Sequence, residues 1–228
     1  MIPFQKPSTS NPIHQFPHIF HFPFYILHLT LSIVHFPLSI YLNFHTHTAP
    51  HEDEYAQPSA GLHPWHLKED WPSELAILEN RLQENPTLFV GECGLDRLCD
   101  TPYDRQQAAF EAQITLSERY ERPLVLHCVK SLDDVLRLKH GTRQPWIWHG
   151  FRGKPQQLRQ LLQHDFYISF GFRHNPESLK ACPLNRLFLE TDDDPRPIAS
   201  LYSTVAQLLS ITPENLNAQL WKNLHQLR

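Results

Sequence analysis

The sequence predicts an α/β chain, a parallel sheet covered by helices. Three observations carry that expectation. Short β-rich runs alternate with amphipathic helical patterns from about residue 39 to the end of the 228-residue chain. Most neighbouring runs are separated by enough residues for a covering helix, the spacing of a parallel sheet. The runs also finish on His, Glu or Asp, which places their polar chemistry at one end of the sheet. With 41% hydrophobic residues the chain can bury one substantial core.

Taken in order, the first run is 39–45. A helix is expected over 71–84, starting at a Trp-Pro-Ser signal with Leu75, Leu78 and Leu82 on one face. A strand follows at 88–92. The next helix, 104–121, sets Ala108, Ala112, Leu116 and Tyr120 near one side. Strands are then expected at 124–127, 146–149, 166–170 and 187–191, with helices at 131–139, 155–163 and 200–210. The last helix, 213–227, opens on Thr-Pro-Glu, a helix-start signature.

Residues 1–40 are different. They hold six Pro, six Phe and five His, with Lys6 as the only charged side chain. Pro23 and Pro37 interrupt any helix, and His21, His28 and His35 interrupt the apolar run, so a membrane span of about 20 residues is not supported. We expect a poorly ordered Pro/Phe/His-rich leader or an upstream extension over 1–40, followed by a single body over 41–228. That body carries 19 cations and 24 anions, which excludes a basic nucleic-acid coat. Cys93, Cys99, Cys128 and Cys182 form no CxxC pair, so neither a disulfide scaffold nor a Cys-rich zinc site is indicated. Reduced thiols, a cytoplasmic location and no stable membrane association are the corresponding expectations.

Sixteen His is a high count, and their placement matters more than their number. The predicted strands end in His45-Thr-His47, Glu92, His127, His149 and, just past Glu190, Asp192. In a parallel (β/α) barrel all strand C-termini open on one face, where active sites collect. An HxH on a strand sends both imidazoles to the same side. Four His and two carboxylates on one mouth suit two divalent ions, with a carboxylate able to bridge them. The fold expectation sharpens accordingly to a TIM-like (β/α) barrel.

This constellation resembles the TatD-type metal-dependent deoxyribonucleases, a branch of the amidohydrolase-like metal-dependent hydrolases. The matching stretches are Phe44-His45-Thr46-His47, Gly61-Leu62-His63-Pro64-Trp65, Gly91-Glu92-Cys93-Gly94-Leu95-Asp96, Leu126-His127-Cys128, His149-Gly150-Phe151-Arg152-Gly153 and Glu190-Thr191-Asp192, in the family's order. The stretch 220–224 looks like the family's C-terminal helix. The resemblance implies that His45, His47 and Asp192 hold one metal and His127 and His149 the second, with Glu92 bridging. The ions would be Zn, Mn, Mg, Co or Fe. Asp192 and Glu92 would be the catalytic carboxylates. His63, Lys130 and Arg152 are candidate substrate contacts from neighbouring loops, and Trp65 and Phe151 candidate base-stacking surfaces. The implied activity is phosphodiester hydrolysis on DNA strand ends or a small phosphodiester. Hydrolysis of small amides, esters or lactones, or a catalytically weak metal-binding or interaction protein, stand as alternatives.

The sequence departs from the family pattern after His47. Only 13 residues separate it from Gly61, where the family usually has a helix, a strand and a helix. The barrel is therefore expected to be shortened or distorted near its N-terminal βα units.

Overall fold

The strands read from the sequence curl into a ring. The computed structural model describes residues 40–228, and the expectations placed on residues 1–39 lie outside them. The elements run β1 (Tyr41–Asn43), β2 (Glu54–Ala56), β3 (Ser59–Ala60), α1 (Trp71–Glu84), β4 (Phe89–Asp96), α2 (Tyr103–Tyr120), β5 (Leu124–Val129), α3 (Leu132–Lys139), β6 (Trp146–Trp148), α4 (Pro155–Gln163), β7 (Tyr167–Phe170), α5 (Pro176–Ala181), β8 (Leu187–Leu189), α6 (Ile198–Leu209) and α7 (Pro213–Gln226). β3 to β8 form a six-stranded parallel sheet in sequence order, and β1 pairs with β2 in parallel.

Two seams join these sheets. β2 and β3 are halves of one extended segment broken at Gln57-Pro58. The Gln57 amide still donates to the Asn43 carbonyl at 3.3 Å, and the Pro58 carbonyl already accepts from Phe89 at 3.0 Å. On the other side, the chain leaving β1 pairs with the chain leaving β8. Phe44 N–H donates to Leu189 at 2.8 Å, Asp192 N–H to His45 at 3.1 Å, and His47 N–H to Asp192 at 2.9 Å, around a parallel bridge between Thr46 and Asp192. Counting β2 and β3 as one, seven strands among the described residues surround the interior, one fewer than a complete TIM barrel.

The shortening expected after His47 is present. β2–β3 is the strand that runs into Gly61 and α1 lies beyond it; among the described residues neither a helix nor a further strand stands between β1 and β2, which are joined by residues 44–53 alone. Side chains stitch this region instead. Asn43 Nδ2 donates to Glu54 Oε2 at 3.0 Å and Thr191 Oγ1 at 2.9 Å, while its oxygen accepts from the Thr191 amide at 3.1 Å. α6 and α7 hold β1 from outside. Tyr202 donates its hydroxyl to the Leu42 carbonyl, and Asn217 bonds both the Leu42 amide and the Ile40 carbonyl.

Phe44 stacks on Phe188 at 4.4 Å, and Trp146 meets Phe110 and Phe166 edge-on; all of these are buried. α1 and α4 have the bounds the sequence predicts, and the other expected helices differ by one or two residues at their ends. α5 was not expected, although Asn175 caps it through its side chain and Pro176 opens it.

Candidate metal centre

All eight residues of β4 are buried, which is unusual for a strand carrying two carboxylates. Glu92 and Asp96 lie four residues apart, and both project toward the mouth side chains. The glycines between and before them have a steric purpose. Gly91 and Gly94 have φ of 145° and 146°, and a Cβ at Gly94 would collide with the His127 carbonyl of β5. Only glycine lets β4 lie this close to β5, where the register shifts between Val90 and Cys93.

Glu92 is the centre of the arrangement. Its Oε1 lies 2.7 Å from His45 Nε2 and 2.8 Å from His47 Nε2. Its Oε2 lies 2.7 Å from His149 Nε2 and 3.6 Å from both His127 Nδ1 and His63 Nε2. One buried carboxylate thus faces two imidazoles with one oxygen and three with the other. Burial alone would raise its pKa; hydrogen bonds from His127, His149, His45 and His47 outweigh that and hold it far below the usual carboxylate range. Asp192 stands on the Oε1 side, its Oδ1 3.5 Å from His47 Nε2. It has a left-handed backbone, φ 57°, a region Asp tolerates better than most residues. Burial raises the Asp192 pKa, opposed chiefly by the charge of His149.

Ligand atoms of His45, His47, Glu92 and Asp192 lie within 4.8 Å of one another, as do those of His63, Glu92 and His127. These two groups share only Glu92. Imidazole and carboxylate donors suit a divalent transition ion, so the donor set fits one. A buried carboxylate ringed by five imidazoles has no evident structural use that a simpler packing would not serve.

Two carboxylates outside the sequence-predicted set orient the imidazoles. Asp96 is 3% exposed. Its Oδ2 lies 3.2 Å from His127 Nε2 and accepts from Trp65 Nε1 at 2.6 Å; its Oδ1 accepts from the Leu98 amide at 2.7 Å. That contact turns His127 Nδ1 toward Glu92. Glu190, fully buried, lies 3.3 Å from His149 Nδ1 and accepts from the Gly150 amide at 2.5 Å, leaving His149 Nε2 for Glu92. Carboxylates behind histidines in this way are how metal-binding imidazoles are usually fixed. The signals were present in the sequence: Asp96 shares the face of Glu92 by strand period, and Glu190 precedes Asp192 by two.

The cluster opens into a cleft of about 1050 Å³. His63, Lys130 and Arg152 all line it, with Trp65, Trp148 and Arg173. Lys130, Arg152 and Arg173 are exposed and have no carboxylate within 4.0 Å among the described residues, whereas Arg97 is engaged by Asp134 at 2.6 Å. Trp65 offers a ring that is 57% exposed. Phe151 does not: it is 3% exposed and packs edge-on against Phe170 and Trp148, so its expected stacking on a base is corrected to a core role. Cys93 and Cys128 stay thiols, burial pushing the Cys128 pKa up to about 12. Asp194 forms a bidentate pair with Arg196, which holds its pKa at about 2.

The family model for TatD related DNase matches residues 35–227. The chain belongs to the TatD family. The metal-dependent hydrolase YjjV of Escherichia coli (strain K12), itself uncharacterized, is 32% identical over 150 residues, 60% of this chain and 58% of that protein. The 3'-5' ssDNA/RNA exonuclease TatD of Erwinia tasmaniensis is 33% identical over 156 residues, 61% of this chain and again 58% of the relative. These matches therefore span less than two thirds of either relative. Among solved structures, the TatD homolog YjjV of E. coli K12 superposes with a TM-score of 0.64 at 26% identity, covering 78% of this chain and 77% of that one. A TatD family hydrolase from Entamoeba histolytica gives the same TM-score at 17% identity and speaks to the fold alone.

Proposed function

We propose that the body of this chain, residues 41–228, is a metal-dependent phosphodiesterase acting on DNA strand ends or a small phosphodiester. The observation that carries the reading is Glu92, a single buried carboxylate shared between two groups of imidazoles. His45, His47 and Asp192 would hold one divalent ion, His127 and His149 the other, and Glu92 both. Four nitrogen donors suit Zn, Mn, Co or Fe better than Mg, which prefers oxygen ligands. Such ions supply a water whose pKa falls toward about 7 and charge stabilisation on phosphoryl oxygens.

The chain's own groups divide the remaining work. Asp192, its carboxyl raised by burial, is suited to accept a proton at its Oδ1 at the edge of the cleft. His63 is kept mainly neutral by burial and can donate a hydrogen bond to a phosphate oxygen. Lys130 and Arg152 supply fixed positive charge, Arg152 with the geometry for two-point phosphate contact. Unpaired cations in an otherwise acidic body favour an anionic diester over a neutral amide, ester or lactone. No helix among the described residues is long and apolar enough to cross a membrane.

The test is purified protein with Mn²⁺ on end-labelled single strands, beside a chelator control, Asp192→Asn and a panel of small esters and amides. Chelator-sensitive shortening lost in Asp192→Asn is expected. Turnover of the neutral panel alone, or metal binding without turnover, would overturn the reading.

A further inference from the structure

The short link between β1 and β2, with neither a helix nor a further strand in it, leaves one flank of the cluster bare. A second cleft, of about 830 Å³, lies there, bounded by the loop at Thr46, Thr48 and Pro50, the β2–β3 segment, and His66 and Arg81. It meets the large cleft at four shared residues: His47, His63, Trp65 and Glu92. The imidazole cluster is therefore approached from two sides. The exposure at the junction agrees, with the His47 side chain 58% and Trp65 57% open to solvent.

A pocket closed behind the reacting group accepts a strand only by its end. A cleft open on both sides lets the strand continue past the scissile bond. The charges run the same way. Lys130, Arg152 and Arg173 stand in the large cleft; Arg81 stands in the second, without a carboxylate within 4.0 Å among the described residues. Apart from Glu92, no acid lines the second cleft among the described residues. Cations along a groove with an exposed aromatic ring between them are how single strands are held without sequence preference.

We propose that a single strand threads from the large cleft across the cluster into the second, so that internal phosphodiesters of single-stranded DNA are hydrolysed and no free end is needed. This rests on the phosphodiesterase reading and extends it from strand ends to internal bonds. Water adds to phosphorus, one P–O ester bond breaks, and the departing sugar oxygen takes a proton. One new end carries a phosphomonoester and the other a hydroxyl.

The experiment compares a covalently closed single-stranded DNA circle with a linear strand of the same sequence, using the full chain and Mn²⁺, read on a denaturing gel. The circle is expected to be linearised at a rate comparable to loss of the linear strand, and chelator should stop both. Shortening of the linear strand with an intact circle would overturn the threading proposal and leave the phosphodiesterase reading standing. Neither substrate cut would overturn both. Arg81→Glu, on the exposed face of α1, puts an anion in the second cleft; it is expected to slow circle cleavage more than end shortening. Equal effects on the two substrates would remove the second cleft as the route.

Discussion

Asp96→Asn is a change of one atom whose consequences can be worked from the geometry. Asp96 accepts at both oxygens: Leu98 N–H at Oδ1, Trp65 Nε1–H at Oδ2, with His127 Nε2 beside Oδ2 at 3.2 Å. An amide has one acceptor and one donor end. If its oxygen stays at Oδ1, its NH₂ faces the Trp65 N–H; if it flips, its NH₂ faces the Leu98 N–H. Either orientation sets a donor against a donor in a buried site, costing about 1–3 kcal/mol of stability. The first orientation also offers His127 Nε2 a donor, which favours the tautomer with the proton on Nδ1, the atom that faces Glu92. A metal-facing nitrogen that carries a proton cannot ligate. Loss of such a partner typically costs about 10–100-fold in metal affinity, or roughly 1.4–2.7 kcal/mol. Chelator competition with Mn²⁺ on folded Asp96→Asn, beside Asp96→Glu, measures it. Wild-type metal affinity in the folded Asn variant would refute the assignment of Asp96 as the group that orients His127.

Other perturbations separate the roles of the mouth residues. Phe151→Ala should destabilise the fold by about 3–5 kcal/mol in urea unfolding while the folded fraction keeps its metal affinity, because Phe151 fills the core rather than facing substrate. Trp65→Ala should weaken single-strand binding by about 1–3 kcal/mol in fluorescence anisotropy, and Trp65→Phe, which keeps a ring but loses the bond to Asp96, should recover part of that. The metal-free protein should lose stability on going from about pH 5 to pH 9. The hydrogen bond to Glu92 raises the His47 pKa against burial; burial lowers that of His149, but Glu190 and Glu92 together outweigh it and hold it well above the ordinary imidazole value. Groups raised above the ordinary histidine value of 6.5 stabilise fully below it and cease to as pH passes their raised values. Metal-loaded protein should show the opposite trend, since ions and protons compete for the same lone pairs. Thermal unfolding across pH with chelator and with Mn²⁺ checks both arms; parallel curves would count against a metal at this cluster.

Much of the architecture was legible because strand ends carry their own labels. His45, His47, Glu92, His127, His149 and Asp192 sit where β-rich runs stop, and period-2 alternation fixes which way they face. What was not legible depends on partners far along the chain. Asp96 looks like a loop acid until β4 is seen to continue past Gly94, and Phe151 looks like a mouth aromatic until Phe170 and Trp148 close over it. β2 and β3 were missed because Glu54-Tyr-Ala-Gln-Pro-Ser-Ala has neither alternation nor a β-branched run. Its strand character comes from two neighbours, β1 and β4, each pairing half of it.

The same division explains why the shortening after β1, which removes a helix and a strand, opens the site without dispersing it. Helices around a parallel barrel cover its outer face, whereas mouth side chains are set by strand register. Here that register is held by bonds that do not involve the missing helix. His45 and His47 are pinned by backbone pairing with Asp192, and Asn43 ties Glu54 to Thr191 across the seam. α6 adds a bond from the Ile198 amide to Glu54 Oε1 at 2.8 Å, fixing the start of β2 from outside. The first βα unit could therefore shed its helix while keeping its imidazoles within 2.8 Å of Glu92. What changed is access: a flank that a helix would cover is the second cleft, so the departure that distorts the barrel is also the one that alters which bonds in a strand can reach the cluster.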